Sequence, residues 1–146
     1  MKNWTSILLK VITFLLVLLW VYAAVSKLSN FYDFRLEMFR QELPRWMRLN
    51  LVWILPPIEL IAAGLLLFKN SEYAGYWISF VLMALFTVYV GLVVAGYYKQ
   101  VPCSCGGVIK AMGWNAHLAF NLFFLLLACT GIFLFNRERR EWNSTK

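Results

Sequence analysis

The sequence predicts an all-α integral membrane protein, a four-helix bundle with a short amphipathic helix lying at the interface between the first two spans. Three observations lead there. Apolar residues fill 62% of the 146 positions and charged residues only 14%, against about half and a quarter in soluble domains. Four apolar runs, over about residues 7–26, 50–68, 73–98 and 112–135, are each long enough to cross a hydrocarbon core of about 30 Å. The longest connection between them, residues 28–50, mixes charges with apolar residues at helical spacing. With no internal repeat and no low-complexity linker, one domain over residues 1–146 is the economical organisation.

The first run is free of charge between Lys10 and Lys27, and residues 7–9 extend it if Lys10 snorkels its ammonium to the headgroups. A basic start and the small pair Ala23-Ala24 also suit a cleaved signal peptide. The length of the run, its aromatic residues and the lack of a soluble remainder favour a retained span. In the connection that follows, Phe31, Phe34 and Met38 recur among Asp33, Arg35, Glu37 and Arg40, the pattern of a helix lying in the interface. Pro44 is expected to stop that helix, and Trp46 and Met47 to lead back into the membrane.

The second run holds one charge, Glu59, and two prolines, Pro56 and Pro57. A helix beginning only at Pro56 would rise about 20 Å, too little to span. The helix is therefore expected to start near Asn50 and to bend at the prolines, whose missing N–H groups leave carbonyls open to a polar contact. The third run is uncharged and bears Tyr73, Tyr76 and Trp77 at one end and Tyr97 and Tyr98 at the other, as interfacial aromatic belts do. The fourth begins with Asn115 as the expected N-cap, carries His117 in its first turn, and gives way to a solvated basic tail at residues 136–140.

The formal charge of +7 sits between and after the apolar runs, so the lipid bilayer, through its headgroups, is the expected partner. No glycine-rich phosphate loop, zinc-finger spacing or basic-aromatic stripe points to nucleic acid. Four spans place both termini and the loop at residues 69–72 on one side, and the 28–50 connection and the cysteines on the other. Lys and Arg then number seven on each side, so charge alone does not orient the chain. Disulfide chemistry favours cytoplasmic termini and an outward-facing cysteine loop.

The sharpest chemical signal is Pro102-Cys103-Ser104-Cys105-Gly106-Gly107, between the Tyr97-Tyr98 belt and the last span. Two thiols one residue apart close an unusually small ring near the limit of disulfide geometry. Strained or exposed disulfides are the labile, oxidising ones. Cys103 and Cys105 are therefore the candidate redox pair, with a structural staple or a turn of small residues as the plain alternative. Two thiolates also suit Cu(I), with His117 as a third ligand, whereas a structural zinc site would need four ligands and the chain supplies at best three near one another. No metal is assigned.

His117 is placed to take a proton from a thiol or donate to a quinone-like acceptor, or else to bond backbone or headgroup as an ordinary interfacial histidine. Asn121 lies one turn further along the same face. Glu59 is the lone acid within a span, expensive there unless paired or protonated, and Lys27 at the end of the first run is its expected partner. Cys129, inside the last span, is expected to be a small apolar filler.

Three segments together resemble the MauE/DoxX group of small four-span membrane proteins: Ala23-Ala24-Val25-Ser26-Lys27-Leu28, Pro56-Pro57-Ile58-Glu59-Leu60, and Cys103-Ser104-Cys105-Gly106-Gly107. The cysteine pair points to the MauE branch. That resemblance implies a redox-associated inner-membrane protein of methylamine utilisation, acting on disulfides with a thioredoxin-like or secreted thiol partner. It assigns Cys103 and Cys105 to thiol–disulfide exchange and marks Lys27 and Glu59 as the polar positions. The architecture also looks similar to quinone-linked disulfide-forming membrane proteins, which use two cysteine pairs. This chain has one pair and Cys129, so quinone stands as a compatible acceptor and no cofactor is assigned. The contrasting expectation is a non-enzymatic subunit or assembly factor of a membrane complex, docking through the small residues Ala62, Ala63 and Gly64 and through Gly91, Ala95 and Gly96.

Overall fold

In the computed structural model, residues 2–98 and 113–144 are described, with side chains from residue 4 onward. Five helices follow one another: α1 (Lys2–Ser29), α2 (Phe31–Arg40), α3 (Arg45–Leu67), α4 (Glu72–Val94) and α5 (Trp114–Ser144), with no strand among the described residues. α1, α3, α4 and α5 are long and apolar enough to cross a membrane. They form a ring in which α1 packs on α3, α3 on α4, α4 on α5 and α5 back on α1, while α2 lies against α3. The protein is a multi-pass membrane bundle with one short extra helix.

The apolar residues divide between two environments. Ile12, Leu16 and Trp20 of α1 meet Leu66 of α3, Tyr76 of α4 and Ala128 of α5 in the core. Phe14, Ile61, Leu85, Val88, Leu126 and Phe133 instead stay exposed on the outer faces of the same helices. An outer surface this apolar is matched by acyl chains and not by water. Two glycines permit the closest approaches. A Cβ on Gly75 would lie 2.8 Å from the Leu66 backbone nitrogen, and one on Gly131 would lie 2.5 Å from Tyr76 Cε1. The first lets α4 turn back along α3, and the second seats the Tyr76 ring in α5.

Several boundaries differ from the sequence expectation. α2 ends at Arg40, before Pro44, because Gln41 already has extended backbone (φ −73°, ψ 145°). Pro44 opens the next helix instead: it precedes Arg45 with φ −53° and ψ 141°, and its carbonyl accepts the N–H groups of Met47 and Arg48 at 2.9 and 3.1 Å. A fixed φ and no N–H suit proline to a helix start. α3 therefore begins at Arg45, ahead of Asn50, and its 23 residues include both Pro56 and Pro57. At 1.5 Å per residue they rise about 34 Å, enough to span.

α4 stops at Val94, short of the Tyr97-Tyr98 pair. Gly96 takes φ +77°, its N–H bonds Val93 O at 3.0 Å, and the Tyr97 N–H bonds Leu92 O at 3.0 Å. That is a Schellman ending, which needs a residue free to adopt left-handed backbone. Gly96 therefore ends the helix. α5 begins at Trp114, with the His117 N–H on the Gly113 carbonyl at 3.0 Å, so Asn115 lies inside the first turn and is not its cap. The expected tail is helical to Ser144, where Arg137 and Glu141 pair at 3.1 Å one turn apart.

α2 is fastened from below and from its end. Phe34 and Met38 bury against Val52 and Leu55 of α3, and the Phe31 and Trp53 rings lie 5.3 Å apart. Arg48 of α3 donates to the carbonyls of Phe39 and Gln41 at the C-terminus of α2. A guanidinium there satisfies orphan carbonyls and meets the negative end of the helix dipole.

Candidate functional site

Lys27 is two residues from the end of α1, and its ammonium turns inward. It donates to Glu59 Oε1 at 2.7 Å and to the Ala23 carbonyl at 3.3 Å. Lys27 is 2% exposed and Glu59 1%, so the pair is taken out of both water and lipid. Its face is set by periodicity, since Trp20 lies seven residues earlier on the same stripe of α1 and is also buried. The Phe34 ring of α2, 6.0 Å from the Lys27 nitrogen, covers the pair from the interfacial side. An ion pair so enclosed contributes little net stability, but breaking it by removing one partner leaves an uncompensated charge and costs about 3–5 kcal/mol.

The opposite wall comes from the first turns of α5. His117 and Asn121, one turn apart, are both buried, and the Trp114 ring stacks on the His117 imidazole at 6.3 Å between centroids. Lys27, Glu59, His117 and Asn121 line one cavity of about 50 Å³, whose remaining walls include Trp20, Met83, Phe86 and Val90. Helix α4 thus contributes only apolar groups. Glu59 Oε2, His117 Nδ1 and Asn121 Nδ2 are all buried without a hydrogen-bond partner among the described residues. Leaving such a group unsatisfied costs about 1–3 kcal/mol, so three around one cavity mark it as a place built for polar contact.

Among the sequence-predicted site residues, the structure brings together Lys27, Glu59 and His117. Cys103 and Cys105 lie outside the described residues. Cys129 is exposed on α5 and fills no gap in the core. No group of three or more His, Cys, Asp or Glu side chains is arranged to hold a metal among the described residues.

Two polar contacts escaped the sequence reading. Trp20 Nε1 donates to Ser79 Oγ at 2.8 Å across the centre of the bundle. Towards the other end, Thr13 Oγ1 lies 2.7 Å from the Tyr76 hydroxyl, 3.0 Å from Glu72 Oε1 and 2.9 Å from the Leu9 carbonyl. Their signal in the sequence is the seven-residue recurrence Thr13, Trp20, Lys27 along the first run. It marks one face of α1 as the polar seam of an otherwise apolar bundle.

No curated protein and no solved structure matches the chain. Residues 5–134 match the family described as methylamine utilisation protein MauE, a stretch that takes in all four long helices except the first residues of α1 and the last turns of α5. A bundle with a buried Lys27–Glu59 pair, matched to that family over nearly its whole length, belongs to the MauE family of membrane proteins.

Proposed function

We propose that the protein is a thiol–disulfide redox component of a bacterial inner membrane, exchanging disulfides between Cys103 and Cys105 and a thioredoxin-like or secreted partner on the periplasmic side. The observation that carries this reading is the CxC spacing itself, placed between the end of α4 and the start of α5. In the exchange, a partner thiolate attacks one sulfur of the Cys103–Cys105 disulfide, a mixed disulfide forms, and the other cysteine leaves as a thiolate. Attack by a second partner thiolate then releases the oxidised partner and leaves Cys103 and Cys105 reduced. A quinone is the acceptor class compatible with returning the pair to the disulfide.

The test is a trapping experiment in native membranes. A single-serine variant has no internal disulfide, so its remaining thiolate attacks the disulfide of the oxidised partner. With no second cysteine in the pair to resolve it, the mixed disulfide should persist, and one of Cys103→Ser and Cys105→Ser should accumulate a covalent adduct in non-reducing gels. Full function in the double serine variant, with no adduct in either single variant, would overturn the reading. A second reading then stands: a membrane subunit or assembly factor. It is favoured by Gly64 and Gly91, where an added Cβ would meet nothing within 4 Å, which leaves open helix surface for a partner.

A further inference from the structure

The cavity between Lys27, Glu59, His117 and Asn121 has a chemistry of its own. Its unpartnered atoms are of complementary kinds: Glu59 Oε2 accepts, Asn121 Nδ2 donates, and His117 Nδ1 does either according to tautomer. Its charged groups are Lys27 from α1 and Glu59 from α3, already joined at 2.7 Å, with the imidazole of α5 facing them and no titratable group from α4. An added cation would meet the Lys27 ammonium, and an added anion the Glu59 carboxylate. The site therefore selects a neutral molecule that both gives and takes hydrogen bonds. A volume of about 50 Å³ holds a few molecules the size of water.

We propose that this cavity is an internal hydration site whose water bridges Glu59 Oε2, His117 Nδ1 and Asn121 Nδ2, and through which a proton passes between imidazole and carboxylate. In that transfer imidazolium Nδ1–H gives its proton to the bridging water, and the water gives one of its own to Glu59 Oε2. Lys27 stays an ammonium throughout and holds the carboxylate in place through Oε1. Asn121 is a positioning residue that orients the water. The proton path does not rest on thiol exchange, since every residue it uses belongs to α1, α3 or α5.

Two measurements on the full chain in lipid nanodiscs test it. In radiolytic hydroxyl footprinting, Met83 lines the cavity and is 2% exposed, whereas Met38 is 3% exposed, packs with Phe34 and is not among the cavity walls. Bound water next to Met83 should make its oxidation several-fold faster than that of Met38. Asn121→Leu, which fills the cavity with apolar atoms, should bring the two rates together. The second readout uses the single histidine of the chain, so one ¹⁵N-labelled imidazole reports without ambiguity. At fixed pH, Glu59→Gln should move the Nδ1 resonance in the otherwise native protein and leave it in place in an Asn121→Leu background. Equal oxidation of Met83 and Met38 in the native protein overturns the hydration, and an Nδ1 resonance indifferent to Glu59→Gln overturns the proton path. Neither result bears on whether Cys103 and Cys105 trap a partner.

Discussion

At the scale of single residues the most constrained feature is the Lys27–Glu59 contact, 2.7 Å long and almost fully enclosed. Glu59→Ala should lower stability by about 3–5 kcal/mol, because Lys27 would keep its charge with no counterion. The double variant Lys27→Met with Glu59→Leu should recover most of that loss, because a matched apolar pair carries no desolvation penalty. Unfolding in graded denaturing detergent would measure both, and a double variant as unstable as the single one would show that the pair does more than neutralise charge. Both partners were legible in the sequence, since a charge inside a span demands a counterion and Lys27 was the nearest candidate on that side. The Trp20–Ser79 bond was not, because serine and tryptophan inside an apolar run carry no charge that requires an explanation.

At the scale of elements the structure corrects the reading where proline and glycine act. Proline read only as a breaker predicts that Pro44 stops α2, whereas its conformation equally suits the start of α3, and the choice depends on where the preceding helix runs out. Gly96 sat inside an apolar run, so its helix-ending role was hidden by periodicity. Gly96→Ala should cost about 1–2 kcal/mol, the penalty of a left-handed backbone for a residue with a Cβ. Amide exchange at the end of α4 would show it as earlier fraying of the Leu92 to Tyr97 bond. Arg48→Met should remove about 1.5–3 kcal/mol of charged hydrogen bonding to the end of α2. The expected signature is faster exchange in α2 with the four long helices unchanged.

At the scale of the whole molecule the four spans and the amphipathic helix could be read from composition and periodicity, because lipid requires long uninterrupted apolar segments. What the sequence left open was which residues of each span face inward. Contacts settle that: Tyr73 stacks on Phe135 at 5.5 Å near one end, while Lys27 reaches Glu59 nearer the other. The start of α1 and the end of α5 thus gather at the Tyr73 end, and α2 and the start of α5 at the Lys27 end. A membrane-impermeant maleimide applied to intact cells should label reduced Cys103 and Cys105, as a periplasmic Lys27 end requires. Labelling that appears only after the cytoplasm is opened would reverse the orientation.

The notch at Gly131 that receives Tyr76 has a consequence for how such a chain can vary in length. Asn121 and Gly131 both face inward on α5, ten residues apart, one at the cavity and the other against α4. One residue inserted between them would turn the second by about 100° relative to the first. Either the asparagine would leave the cavity or the glycine would leave the ring it accommodates. Insertions and deletions are therefore excluded from this stretch and tolerated beyond it, in the last turns of α5 after residue 135. Among sequences sharing this bundle, a constant spacing from the His117 position to the Gly131 position should accompany variable C-terminal lengths.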